Sequence, residues 1–154
     1  CCFAVCPRAS IALPVKCEGF AAGGGDGRAG ETRRSLTGYF VQNSSGPFVA
    51  GQTLTWKFDE APQPTAVVVR EVVKNQRIVF DWPTSDPNVL TTVTIAFVPI
   101  DAANTMVQIA EGGWANTPEG LRDSHGNAGG WMHMLACLKG YLEYGINLRA
   151  GGAF

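Results

Sequence analysis

From Gly51 onward the chain alternates apolar and polar positions with a period of two. Leu54, Trp56 and Phe58 interleave with Thr53, Thr55 and Lys57, which predicts a strand with one apolar face. Asp59-Glu60-Ala61-Pro62-Gln63-Pro64 ends it as a loop. The β-branched run Ala66 to Val73 and the segment Arg77 to Trp82, where Ile78, Phe80 and Trp82 share a face, are separated only by Lys74-Asn75-Gln76 and so predict a hairpin. After a break at Pro83-Thr84-Ser85-Asp86-Pro87, a strand over Val89 to Val98 sets Val93, Ile95 and Phe97 against Thr92 and Thr94. A turn over Pro99 to Asn104 leads into Thr105 to Glu111, with Val107 and Ile109 inward and Gln108 outward. Successive strands of this kind predict an antiparallel meander with one buried face.

The final segment changes period. At about 100° per residue from Trp131, the positions Met134, Leu135, Leu138, Leu142 and Ile146 fall on one line, with His133, Ala136, Gly140, Glu143 and Asn147 opposite. This predicts an amphipathic helix from near Asn127 to Leu148, closed by Gly151-Gly152. At about 1.5 Å per residue it spans roughly 33 Å, close to the longest strand at about 3.3 Å per residue. The expected fold class is α+β: a curved antiparallel β-sheet wrapped around a long C-terminal α-helix, with an internal cavity between them.

The candidate lining of that cavity is Trp56, Phe58, Phe80, Trp82 and Phe97 from the strands. Trp114 follows the last strand, Trp131 and Leu135 come from the helix, and Glu111 is the polar member. The same aromatics also suit a packed core, which is the expectation for most of them; those near the mouth, Trp56, Trp82 and Trp114, are the ones expected to touch a ligand.

Composition narrows the partners. A chain of 154 residues is expected to form a single domain over 1–154. Charged residues are 16% of the chain, against about 25% in ordinary soluble domains, and apolar residues are 45%. Twelve Lys and Arg against thirteen Asp and Glu give a net charge of −1, so no field attracts nucleic acid or an anionic membrane. No run of about 18 apolar residues is present to span a bilayer. Cys1, Cys2, Cys6 and Cys17 crowd the start and Cys137 stands alone; the odd count and the lack of Cys-x-x-Cys spacing favour free thiols over a metal site, and a cytoplasmic location.

Residues 19–31 are rich in glycine and predict an irregular loop. Gly25-Asp26-Gly27-Arg28-Ala29-Gly30 fits the dinucleotide pattern G-x-G-x-x-G, and Gly25 to Thr32 nearly fits a phosphate loop. Neither has its context: no apolar strand leads in, no acidic residue follows at the required spacing, and Glu31 stands where the phosphate-binding Lys belongs. No cofactor is expected.

Among candidate chemical groups, Glu111 shares strand parity with Val107 and Ile109 and so points toward the cavity. Buried, it would serve as an acid or an orienting acceptor. Its place at the strand's end, beside Gly112-Gly113, favours a carboxylate that reaches solvent. His133 falls on the polar side of the helix and is expected to be exposed, whereas His125 suits an exposed loop before the helix or the cavity rim equally. Asp123 and Ser124 adjoin His125, yet adjacent loop residues seldom reach triad geometry, and no G-x-S-x-G elbow is present. No catalytic residue is assigned, and the expectation leans away from an enzyme.

Val68 to Trp82, with its Lys74-Asn75-Gln76-Arg77 turn and Ile78-Val79-Phe80-Asp81-Trp82, resembles the strand pair of the START-like SRPBCC superfamily. The nearer resemblance is to its branch similar to the C-terminal domain of the activator of the Hsp90 ATPase. Asn104 to Trp114 resembles that branch's penultimate signature, and Gly130-Trp131-Met132-His133-Met134-Leu135 through Gly145 resembles its C-terminal helix. Ala9 to Pro14 is similar to the first strand, and Thr32 to Phe40 to the end of the second short helix; between them the glycine run replaces the family's apolar helical positions. The resemblance implies a helix-grip fold over a cavity. It further implies a small apolar ligand in that cavity or, alternatively, a co-chaperone-like interaction with an Hsp90-type chaperone; an acid/base enzyme using Glu111 or His125 is the third reading.

Overall fold

The computed structural model describes residues 9–16, 36–86 and 88–150. The Gly-rich segment 19–31 and the cysteines at 1, 2, 6 and 17 lie outside the described residues. Among the described residues, seven strands form one antiparallel sheet: β1 (Ala9–Lys16), β2 (Asn43–Ser44), β3 (Thr53–Lys57), β4 (Thr65–Val73), β5 (Arg77–Pro83), β6 (Leu90–Pro99) and β7 (Asn104–Gly112). Their order is β1-β7-β6-β5-β4-β3-β2, so the meander runs in chain order and β1 closes it by pairing with the last strand. The alternation read from β3 to β7 holds: Leu54, Trp56, Val67, Val69, Ile78, Phe80, Val93, Ile95, Val107 and Ile109 are all buried on one face. A bulge between Val69 and Glu71 shifts the β4–β5 register and bends the sheet there.

One long helix, Pro118–Tyr144, lies against this face along β1 and β7. It begins and ends earlier than the expected Asn127 to Leu148, and for identifiable reasons. The Thr117 side chain accepts the Gly120 N–H at 3.1 Å, with Pro118 and Glu119 in the first turn, a strong start signal. Glycines, poor helix formers, follow at 120, 126, 129 and 130; burial of the Trp131, Met134, Leu135 and Leu138 stripe outweighs their propensity. The helix stops at Gly145 rather than at Gly151-Gly152. Gly145 takes φ 67° and its N–H reaches the Gly140 and Tyr141 carbonyls.

Beyond Gly145 the chain folds back along the helix. The Ile146 N–H bonds the Gly140 carbonyl at 3.2 Å, and Leu148 lies so close that a Cβ at Gly140 would sit 3.1 Å from its Cδ1. At the other side a helical turn over residues 36–39 docks on the helix, with the Tyr39 and Tyr141 rings 5.8 Å apart. Lys139 donates to the Pro14 carbonyl at 2.9 Å and the Lys16 N–H donates to Glu143 at 2.8 Å, pinning the helix to β1. Among the described residues no helix is long and apolar enough to cross a membrane.

Candidate functional site

Where β7 ends, the expectation for Glu111 is corrected: it is 1% exposed, not in solvent. Gly112 stays paired with Thr92, so the strand continues past Glu111, and the helix covers it. Its carboxylate accepts from Thr91 Oγ1 at 2.5 Å, from Trp131 Nε1 at 2.7 Å and from Asn127 Nδ2 at 3.1 and 3.3 Å. Every neighbour is a donor, which is what a buried acceptor-only group requires. The carboxylate thus ties β6 and β7 to the helix and fixes two side chains, Trp131 and Asn127, that face the cleft described next.

That cleft, of about 280 Å³, opens between the helix and the β3–β5 side of the sheet. Its apolar walls are Phe40, Phe58, Trp82 and Trp131; Asn127, His133, Glu60 and Arg149 supply the polar groups. Trp82 and Trp131 meet edge to face at 5.0 Å, which buttresses one wall. Gly126 and Gly130 face the cleft from the helix, and a Cβ on either would meet nothing within 4 Å. The absent side chains therefore leave the space.

The residues expected at the cavity divide. Phe58, Trp82 and Trp131 line the cleft, and Glu111 lies behind it. Trp56, Phe80, Phe97 and Leu135 sit in the core cluster. Trp56 is fully buried, with the rings of Phe40, Phe48 and Phe80 at 6.3, 5.8 and 5.8 Å; its indole N–H has no hydrogen-bond partner among the described residues and faces aromatic surroundings. Trp114 is buried at 4% exposure outside the cleft lining.

Both histidines lie within the helix, not before it or on a wholly polar face. His125 is exposed. His133 is half-buried in the cleft wall, a correction to its expected exposure, and burial, reinforced by Arg149, lowers its pKa from the ordinary value. Its Nε2 lies 3.1 Å from Cys137 Sγ, whose thiol is pushed up by burial. Ser124 is buried and donates to the Leu121 carbonyl, while Asp123 accepts from Ser85 at 2.6 Å, so neither joins His125 in a triad. Among the described residues no three His, Cys, Asp or Glu side chains converge as a metal site.

Arg149 escapes the sequence reading because it follows the expected helix end at Leu148, where no period places a side chain. The fold-back after Gly145, held by Asn147 Oδ1 accepting the Arg149 N–H at 2.9 Å, returns its guanidinium to the cleft. There it stands 5.6 Å from the centre of the Phe40 ring and 5.9 Å from that of Phe58, and it pairs with Glu60. That hydrogen bond holds the Glu60 carboxyl below the usual carboxylate range. The readable signals were the Gly145 stop and Asn147 two residues later, a turn-forming residue that ends the helix early.

A curved antiparallel sheet gripping one C-terminal helix, with an aromatic cleft between them, defines a START-like helix-grip domain of the SRPBCC type. Within that class the chain belongs to the family described as Activator of Hsp90 ATPase homolog 1-like protein, whose model matches residues 36–143. Solved structures share the fold at low identity. Protein SSP2350 from Staphylococcus saprophyticus is 23% identical with a TM-score of 0.69, the match covering 96% of this chain and 100% of that one. An HSP90 activator from Plasmodium falciparum is 15% identical with a TM-score of 0.61 over 90% and 96% of the two chains. A START superfamily protein from Mycobacterium smegmatis is 13% identical with a TM-score of 0.55 over 90% and 99%. No curated protein matches the sequence.

Proposed function

We propose that the domain holds a small, largely apolar molecule in the cleft between the sheet and the C-terminal helix. The observation that carries this reading is the space of about 280 Å³ walled by Phe40, Phe58, Trp82 and Trp131. It lies at the low end of ligand pockets, which run from about 300 Å³ upward, and so suits a molecule of one to three rings. Each 100 Å² of apolar ligand surface removed from water contributes about 2.5 kcal/mol, with the aromatic walls adding edge-to-face contacts. Glu111 is a positioning residue in this reading: four hydrogen bonds occupy it fully, and through them it sets Trp131 and Asn127 at the cleft.

Phenylnaphthylamine, a neutral apolar dye that brightens out of water, tests this. Saturable one-to-one enhancement is expected; enhancement that never saturates, or none, would remove the reading.

A second reading, a co-chaperone-like protein interaction, is favoured by membership of the Hsp90-activator-like family. Capture of a purified Hsp90-type chaperone by the immobilised domain is its expected result, and failure of that capture would eliminate it.

A further inference from the structure

Of the two charges at the cleft, the cation is held and the anion is loose. The Arg149 side chain is 14% exposed, beneath the Phe40 and Phe58 rings, whereas its partner Glu60 is 53% exposed on the loop after β3. Glu60 can swing into water at little cost; the guanidinium has no such freedom, because its backbone is tied to Asn147 and its stem is covered. A desolvated guanidinium needs an anion wherever Glu60 goes. The cation also faces the same space as Phe58, Trp82 and Trp131. An acidic group entering with an apolar body would therefore find Arg149 already oriented, with planar donors suited to a carboxylate or sulfonate.

We propose that Arg149 is the anion anchor of the cleft and Glu60 a resident stand-in, so that the natural ligand is an aromatic or alicyclic acid whose acidic group displaces Glu60 from Arg149. This rests on the reading of the cleft as a small-molecule site. Asn127 and the half-buried His133 also line the cleft as polar groups.

The experiment compares phenylnaphthylamine with anilinonaphthalene sulfonate, the same ring frame carrying one anionic group, on the wild-type chain and two variants. Glu60→Gln removes the competing charge at a half-exposed position, and Arg149→Met keeps an apolar stem without the guanidinium. The expected result is that Glu60→Gln tightens the sulfonate dye about tenfold relative to the neutral dye, the weight of one hydrogen bond to a charged group. Arg149→Met should weaken the sulfonate dye by a similar factor. If the neutral dye binds but both dyes respond alike to the two variants, the anion anchor is overturned and the cleft reading stands. If neither dye binds saturably, both are overturned.

Discussion

Glu111 shows how one residue can join three elements. Replacing it with Leu leaves the Trp131 indole N–H and the Asn127 amide in the helix without their acceptor, while Thr91 retains the Trp82 carbonyl at 3.2 Å. Orphaning a buried donor costs about 1–3 kcal/mol, so Glu111→Leu should lower unfolding stability by about 3 kcal/mol, read as a lower urea midpoint. An unchanged midpoint would mean that the carboxylate does not join helix to sheet. Tyr39 makes a pH prediction. Burial, with a smaller contribution from Cys137, raises its phenol well above the ordinary value. The folded state therefore keeps a proton that the unfolded chain loses above about pH 10. Stability is full below that pH and falls as pH rises, with a slope approaching about 1.4 kcal/mol per pH unit. Tyr39→Phe should flatten this alkaline limb in thermal melts; a limb of unchanged steepness would show that Tyr39 is not its source.

At the scale of elements, the long helix contains a conflict between propensity and shape. Gly126, Gly129 and Gly130 each weaken it by about 1 kcal/mol relative to Ala, and no atom within 4 Å would oppose a Cβ at any of them. Gly126 and Gly130 line the cleft, whereas Gly129 does not. Gly129→Ala should thus stabilise the fold by about 0.5–1 kcal/mol without changing dye binding, while Gly130→Ala should stabilise it similarly and weaken the dye. Equal binding by both variants would show that the glycines do not shape the site. Gly120 differs: a Cβ there would meet the Ala115 carbonyl oxygen at 2.1 Å, so the first turn needs glycine for close approach. The same conflict explains why the helix start was not legible from periodicity, since glycines dilute the apolar pattern over its first three turns. Strands β3 to β7 were legible to within a residue or two because alternation marks them, interrupted at the bulge between Val69 and Glu71, where the β-branched run still reads as strand.

For the molecule as a whole, the curved sheet and the gripping helix were readable from period, and the family from the resemblance carried by the residues of β4–β5, β7 and the C-terminal helix. The site was readable only in part. Parity says that Trp56 and Trp82 share a side of the sheet but not that Phe40, Phe48 and Phe80 enclose the first and leave the second at the opening. Phe40, Glu60 and Arg149 reach the cleft from loops and a post-helix turn, where no period applies. The chain's four tryptophans offer a direct reading of the central claim, because each carries one indole N–H at a known place. In a proton–nitrogen correlation spectrum, titrating phenylnaphthylamine should shift the Trp82 and Trp131 indole signals together and leave that of Trp114 in place. A Trp114 shift with Trp82 and Trp131 unmoved would contradict the cleft as the binding site.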